Sequence, residues 1–199
     1  MSYKENLEHQ KNYTSKLNEY YSDSYNASMD HKKVKWGSQE SQFLRFKILS
    51  EISNLFFESS ILDYGCGIGT FLEFLIQHHY SGSYTGYDIL PSMLEIAQKK
   101  YKDHLFTSSI HRKSFDFVIA SGIFTIADSK MMHEEIQKMY QISQKGVAFN
   151  CLSSFASQQE KGEFYANPLK TLEFCFNLTP KVVLKHHYLP HDFTIYMYK

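Results

Sequence analysis

The chain has 199 residues, 43% of them hydrophobic and 16% aromatic, which is enough for one buried domain with an extension and too few for two full α/β domains. Its 21 Lys and Arg residues balance its 21 Asp and Glu residues, so no strong overall field draws it to nucleic acid or to an anionic membrane. We therefore expect a diffusible small-molecule partner, with neither nucleic acid nor membrane.

The N-terminal segment differs from the rest of the chain. Residues 1–38 are polar and rich in tyrosine and have no sustained apolar period, whereas the following stretch QFLRFKILSEISNLF has apolar residues near helical spacing. We therefore predict a leader or lid over residues 1–38 and one domain over residues 39–199.

The sequence favours a cytoplasmic setting. The residues MSYKENLEHQ lack the charged and apolar regions of a secretory signal, and Cys66, Cys151 and Cys175 are an odd number without CxxC spacing. No apolar run is long enough to span a membrane. We expect a reducing compartment.

Beyond the leader, strand-like runs alternate with helical stretches. SSILDY is predicted as a strand followed by the helix GTFLEFLIQHH, and SYTGYD as a strand followed by the helix PSMLEIAQKKY. FDFVIAS has the apolar run of a strand buried on both faces, and the helix KMMHEEIQKMYQIS precedes the strand KGVAFNCL. KVVLKHHYL and FTIYMYK, separated by PHD, are predicted to pair as an antiparallel hairpin. This order indicates a doubly wound α/β sheet.

Three glycines lie between the first strand and the first helix. In this context Gly65, Gly67 and Gly69 allow a tight turn that brings backbone amides close to a ligand. Their G-x-G-x-G spacing is one residue shorter than the dinucleotide fingerprint G-x-G-x-x-G. Asp63 would repel a pyrophosphate but suits a ligand with positive charge, such as S-adenosylmethionine. Asp88, at the end of the next strand, is placed to accept hydrogen bonds from both ribose hydroxyls.

The segments ILDYGCGIGTF, YTGYDILPSML and FDFVIASGIF together resemble class I S-adenosylmethionine-dependent methyltransferases, over roughly residues 40–152. The resemblance implies a Rossmann-like, seven-stranded sheet with a reversed last strand, and S-adenosylhomocysteine as the product of the cofactor. The residues that it assigns to the cofactor are Asp63, Gly65, Cys66 and Gly67 at the methionine end, Asp88 at the ribose, Ile89 at the adenine, and Ala120 and Ser121 near the reacting methyl group.

One segment departs from the family's pattern. Many members have an aspartate after the third strand whose carboxylate meets the adenine amino group, but this chain has KDHLFTSSIHRKS between Tyr101 and Ser114. Phe106 or Thr107 is the predicted substitute, through packing or a backbone contact.

The leader EYYSDSYNASMDHKKVKWGSQESQFLRF is similar to that of small bacterial members acting on metabolites or sugars. The resemblance implies a lid, with Tyr20 and Tyr21 contacting the substrate. Arg45 is interpreted either as a partner of the methionine carboxylate or as a surface arginine, and Trp36 either as a cofactor cover or as an anchor of the leader.

The acceptor is predicted to be an O or N atom of a small molecule, as in small-molecule biosynthesis. Members that modify adenine or glutamine amides carry an Asn/Asp-Pro-Pro-aromatic tetrapeptide after the fourth strand, where this chain has ASGIF. Three alternatives stay open: a nucleic-acid or protein methyltransferase, a non-catalytic cofactor-binding or scaffold subunit, and a nicotinamide oxidoreductase.

Candidate catalytic groups lie near the last hairpin. His186, His187 and His191 are the predicted general bases, with catalysis by alignment alone as the other possibility. Asn150, at the carboxyl end of its strand, is predicted to contact the substrate. No metal is predicted, because HEEI at residues 133–136 lacks the second histidine of a metal-binding helix.

Overall fold

The computed structural model of the protein describes residues 13–21, 38–110 and 114–199. The helices of this part are α1 (residues 13–21), α2 (Gln39–Ser50), α3 (Thr70–Gln77), α4 (Pro91–Lys100), α5 (Ser129–Ile142) and α6 (Pro168–Phe176), with a 3-10 turn at Phe56–Glu58. The strands are β1 (Ile61–Tyr64), β2 (Tyr84–Tyr87), β3 (Leu105–Thr107), β4 (Phe115–Ala120), β5 (Ser143–Leu152), β6 (Val182–His186) and β7 (Asp192–Tyr198).

The strands form one seven-stranded sheet in the order β3-β2-β1-β4-β5-β7-β6. Strands β1 to β5 are mutually parallel, while β7 is antiparallel to both β5 and β6. The predicted doubly wound fold with an antiparallel C-terminal hairpin is therefore confirmed. The strand order reverses between β1 and β4, which opens a crevice at their carboxyl ends.

Apolar side chains on the two faces of the sheet form separate cores. In β1, alternation sends Ile61 to the core beneath α2, α3 and α4, and Leu62 to the core beneath α5 and α6. Phe46 and Phe71 pack within the first core with ring centroids 5.1 Å apart. Both faces are thus covered, as a parallel sheet requires.

Local signals fix where the helices begin. The Ser38 hydroxyl accepts a hydrogen bond from the Ser41 amide at 3.1 Å and caps α2, and Asp128 caps α5 through the Met131 amide at 2.8 Å. Pro91 occupies the first turn of α4, where its missing N–H is tolerated. None of the helices in the three described ranges has the length and apolar character needed to cross a membrane.

The final hairpin differs in one detail from the prediction. Strand β6 ends at His186, and His187 has a left-handed backbone with φ of 68°. Its amide donates to the Asp192 carbonyl at 3.2 Å, which turns the chain away from the strand direction. The strand predicted over KVVLKHHYL is therefore shorter than expected and ends at His186.

Candidate functional site

A cavity of about 580 Å³ lies at the carboxyl ends of β1, β2 and β4. Its wall is formed by the loops that follow these strands and by side chains of α1, α2 and α5. This volume is within the range of small-molecule sites, and its place at the reversal of strand order is where such sheets bind ligands.

The floor of the cavity is the turn between β1 and α3. Gly65, Gly67 and Gly69 have φ values of 83°, 51° and 82°, in the left-handed region that glycine adopts without strain. A β-carbon on Gly65 would lie 2.2 Å from Cγ2 of Ile123, so the loop after β4 packs directly against this turn. The predicted tight turn is present, and only glycine fits its first position.

Asp63 is buried at the end of β1 and lines the cavity. Its carboxylate accepts a hydrogen bond from the Tyr84 hydroxyl at 2.7 Å. Burial, opposed by this hydrogen bond and reinforced by the charge of Asp88, raises the pKa of Asp63 to about 7. A cationic group in the cavity would therefore stabilise the ionised form.

Asp88 is held by two backbone amides. Its Oδ1 accepts from the Leu90 amide at 2.9 Å and its Oδ2 from the Gly67 amide at 2.8 Å. Burial raises the pKa of Asp88, while these amides favour the charged form. Each oxygen keeps a second acceptor site for a ligand hydroxyl. Ile89 lines the cavity beside it.

Arg45 joins α2 to the hairpin between β6 and β7. Its buried guanidinium forms an ion pair with Asp192, donates to the Ser41 carbonyl at 3.2 Å, and lies 3.0 Å from Nε2 of His191. Because a guanidinium can only donate, His191 accepts at Nε2 and carries its ring proton on Nδ1. Arg45 lines the cavity, and these protein groups take at least three of its five N–H donors; its assignment to a methionine carboxylate stays a prediction.

Of the three histidines predicted as bases, the structure brings only His191 to the cavity. His186 lies on β6, the edge strand, with Nε2 2.8 Å from the Ser153 hydroxyl and its ring beside Phe155. His187 is exposed beyond the end of the strand. Strands β5 and β7 separate β6 from the crevice, which explains why these two side chains do not reach it.

The other predicted residues are divided between the cavity and its supports. Ser121 and Cys66 line the cavity, whereas Ala120 is buried behind it and does not. Phe106 packs in the core against Tyr84 rather than in the cavity wall. Trp36 lies outside the described residues.

Asn150 supports the loop after β4. Its Oδ1 accepts from the Gly122 amide at 2.9 Å and its Nδ2 donates to the Ser121 hydroxyl at 3.0 Å. It lines a small adjoining void instead of the main cavity. The structure therefore shows Asn150 orienting Ser121 and its loop from behind.

Helix α1 contacts two loops above the crevice. The Tyr13 hydroxyl donates to the Ile123 carbonyl at 3.1 Å, and the Tyr20 hydroxyl lies 3.5 Å from Glu163. Burial, with added repulsion from Glu163, raises the pKa of Tyr20 to about 12, so its hydroxyl stays protonated. Tyr20 and Tyr21 both line the cavity, which makes α1 part of its wall.

Sequence reasoning missed two groups of cavity residues. Gln42 is 2% exposed and lines the cavity, and its Oε1 has no hydrogen-bond partner among the residues that the structure describes. The available signal was the polar stripe that Ser38, Gln42 and Arg45 form at helical spacing along α2. The second group, Glu135 and its neighbours on α5, gave no recognisable motif.

Comparisons with known proteins agree with this geometry. Residues 61–146 match a family described as a methyltransferase domain. A Mycobacterium tuberculosis protein that carries the name methyltransferase is 31% identical over 155 residues, an alignment covering 70% of this chain and 93% of the relative.

Solved structures share the fold. Magnesium protoporphyrin IX methyltransferase from Synechocystis PCC 6803 with bound S-adenosylmethionine has a TM-score of 0.63 at 15% identity, covering 88% of this chain and 87% of that one. The plantazolicin methyltransferase BpumL, solved with a triazolic desmethylPZN analogue and S-adenosylhomocysteine, has a TM-score of 0.62 at 16% identity, covering 82% of this chain and 86% of that one.

Proposed function

Because the chain belongs to the class I S-adenosylmethionine-dependent methyltransferase family, we propose that it methylates an oxygen or nitrogen atom of a small molecule. The observation that carries this proposal is the cavity of about 580 Å³ with α1 in its wall. Helix α1 hydrogen-bonds to the loops after β4 and β5 on one side of the crevice, and on the other side its Leu17 and Tyr21 pack against the cluster of Ile68, Leu90 and Met93. A large acceptor would have to displace it. A small acceptor would not.

The described residues fit the cofactor. Asp63 is a carboxylate whose pKa is raised by burial and by the charge of Asp88, and a sulfonium or ammonium group would stabilise its ionised form. We place the methionine end there, over Gly65, Cys66 and Gly67, and the ribose on Asp88. The cofactor supplies a methyl group already activated by the sulfonium.

The protein's own contribution would be alignment and exclusion of water. Methyl transfer in line with an activated sulfonium gains mainly from orientation, which rigid walls provide. Asn150 fixes the Ser121 hydroxyl from behind, and Tyr20 and Tyr21 on α1 are the proposed acceptor contacts. Since His191 accepts from Arg45 at Nε2, it is placed to donate through Nδ1, which favours alignment over general-base catalysis.

Two further observations support a small acceptor, and a third bears on the cellular setting. The overall charge is balanced, with 21 basic and 21 acidic side chains, so there is little electrostatic attraction for nucleic acid. Two structural neighbours have small-molecule substrates by name, a magnesium porphyrin and plantazolicin. The three cysteines are free and buried, in keeping with the proposed cytoplasmic setting.

We also propose that residues 39–199 form the catalytic domain and that residues 1–38 act as a lid. Support comes from the described part of that segment, because α1 lies in the cavity wall and contacts the loop after β4.

The test combines binding with product detection. Calorimetry should show binding of S-adenosylmethionine and S-adenosylhomocysteine, and none of NAD. Incubation with S-adenosylmethionine and pools of small metabolites, followed by mass spectrometry, should reveal a compound that gains a methyl group. Asp88→Ala, which lacks the proposed ribose acceptor, is the negative control. Transfer to RNA, DNA or protein alone would refute the small-molecule acceptor.

A further inference from the structure

Glu135 on α5 is a cavity carboxylate with a defined orientation. The Tyr64 hydroxyl donates to its Oε2, and the Lys138 ammonium lies 2.6 Å from its Oε1. All three side chains line the cavity, and Glu135 is 18% exposed. An ionised carboxylate held between two donors keeps further acceptor sites on both oxygens.

Three of the carboxylates that line the cavity are Asp63, Asp88 and Glu135. Asp63 and Asp88 end neighbouring strands, and Tyr87, which precedes Asp88, has its ring 4.8 Å from that of Tyr64, the residue that donates to Glu135. Burial is the main cause of the raised pKa of Tyr87, and the charges of Asp88 and Glu135 both add to it.

The three carboxylates can be assigned to different parts of the cofactor. The inference rests on the proposed function, which places the sulfonium at Asp63 and the ribose at Asp88. The purine is attached to the ribose on the side opposite the sulfur, so it extends away from Asp63. Tyr87, which precedes Asp88, connects that residue to Tyr64 and Glu135 in the cavity wall.

We propose that Glu135 accepts a hydrogen bond from the amino group of the adenine ring and thereby selects adenine as the base of the cofactor. The amino group donates and an ionised carboxylate only accepts, so their chemistry is complementary. The segment after β3, residues 108–114, reads SSIHRKS and holds no carboxylate. Helix α5 supplies the acceptor from the opposite wall.

The experiment measures recognition of the amino group alone. Calorimetry compares S-adenosylhomocysteine with its analogue that carries unsubstituted purine in place of adenine, on the full-length parent, Glu135→Gln and Glu134→Gln. The parent should prefer adenine by roughly ten- to a hundredfold, as expected for a hydrogen bond to a charged group. In Glu135→Gln the preference should fall several-fold or more, with the affinity for the purine analogue nearly unchanged. Glu134 is the matched control, since it adjoins Glu135 but does not line the cavity, and its variant should behave as the parent.

The affinity for the purine analogue also reports whether Glu135→Gln is folded, because that ligand needs every other contact. An equal affinity of the parent for both ligands would overturn the proposal, and so would undiminished discrimination by Glu135→Gln. If Glu135→Gln keeps the parent's preference for adenine but has a raised KM for an amine-bearing acceptor, Glu135 contacts the acceptor instead, and the proposal is overturned as well. Failure of the parent to bind either ligand would refute the proposed function too, whereas binding without discrimination refutes this inference alone.

Discussion

The two sides of the cavity are assembled in different ways. On the β1 and β2 side, the hydrogen bond from Gly67 to Asp88 joins residues 21 positions apart, within one βαβ unit. On the other side, Tyr13 reaches Ile123 across 110 positions, and Arg45 reaches His191 across 146. The first side is therefore specified by a short local motif, whereas the second forms only when distant segments have packed.

The largest effect is expected where the distant segments are joined. Arg45→Ala removes one partner of a buried ion pair and leaves Asp192 without compensation, which should lower the free energy of unfolding by about 3–5 kcal/mol. Lys185→Ala, which removes an exposed pair with Glu51, is the matched control and should lose at most about 1 kcal/mol. Urea denaturation measures both. Equal losses would mean that the ion pair does not hold the hairpin to α2.

The local side can be tested at its first glycine. Gly65→Ala places a β-carbon 2.2 Å from Ile123 and forces a left-handed alanine, so binding of S-adenosylhomocysteine should weaken by tenfold or more. Gly162→Ala shares the positive φ but meets no atom within 4 Å, so it should lose only the backbone term of about 1–2 kcal/mol and keep its affinity. Calorimetry and thermal melting separate the two effects. If Gly65→Ala binds S-adenosylhomocysteine with the parent's affinity, the turn can accommodate a side chain at this position.

A third test uses pH on the same local side. Since the pKa of Asp63 is raised to about 7, protonation below that value removes the charge that a cationic ligand would need. Affinity for S-adenosylmethionine should rise by up to about tenfold per pH unit below the pKa and level off above it. The stability of the free protein has the opposite pH dependence. The folded state binds the Asp63 proton more tightly than the unfolded state does, so the free energy of unfolding falls as pH rises from 3.8 towards about 7.

Asp63→Asn is the control for that profile. The amide keeps the shape and does not titrate, so calorimetry across this range should give a nearly flat dependence for the variant. A parent profile as flat as that of Asp63→Asn would contradict the assignment of the cation to Asp63.

The smallest effect is expected at α1. Tyr13→Phe removes the hydrogen bond to the Ile123 carbonyl, worth about 0.5–1.5 kcal/mol, and should weaken S-adenosylhomocysteine binding by roughly two- to tenfold. Tyr140→Phe removes a similar bond to the Tyr198 carbonyl outside the cavity and should leave that affinity unchanged. If both variants bind as the parent does, α1 does not close over the cofactor.

The difference between the two sides also explains what could be predicted from the sequence. The strands β1, β2, β4 and β5 are apolar and buried, and the glycine turn between β1 and α3 has a recognisable spacing. The β1 and β2 side of the cavity could therefore be predicted from the sequence. Strand β3 has three residues and a half-exposed pattern, too short to show alternation. Helix α6, whose nine residues begin at Pro168, was not predicted either.

The residues of the distant side could not be found by motif. The stretch HEEI lacks the second histidine of a metal-binding helix and therefore predicts no site. Glu135 within it nevertheless lines the cavity and accepts a hydrogen bond from Tyr64. The chemistry of His186 and His187 suits a general base, but His186 is on the edge strand β6 and His187 lies just beyond its end, away from the crevice. Chemistry alone did not locate these side chains, because their positions depend on strand order.

The order β5-β7-β6 has a consequence for synthesis of the chain. The ribosome releases β5 and β6 before β7, although β7 lies between them and pairs with both. Until β7 emerges, the apolar β5 has one unpaired edge, and such edges attract other strands. A nascent chain stalled before residue 192 would therefore be a substrate for chaperones, and slow translation of that region would favour aggregation on the ribosome.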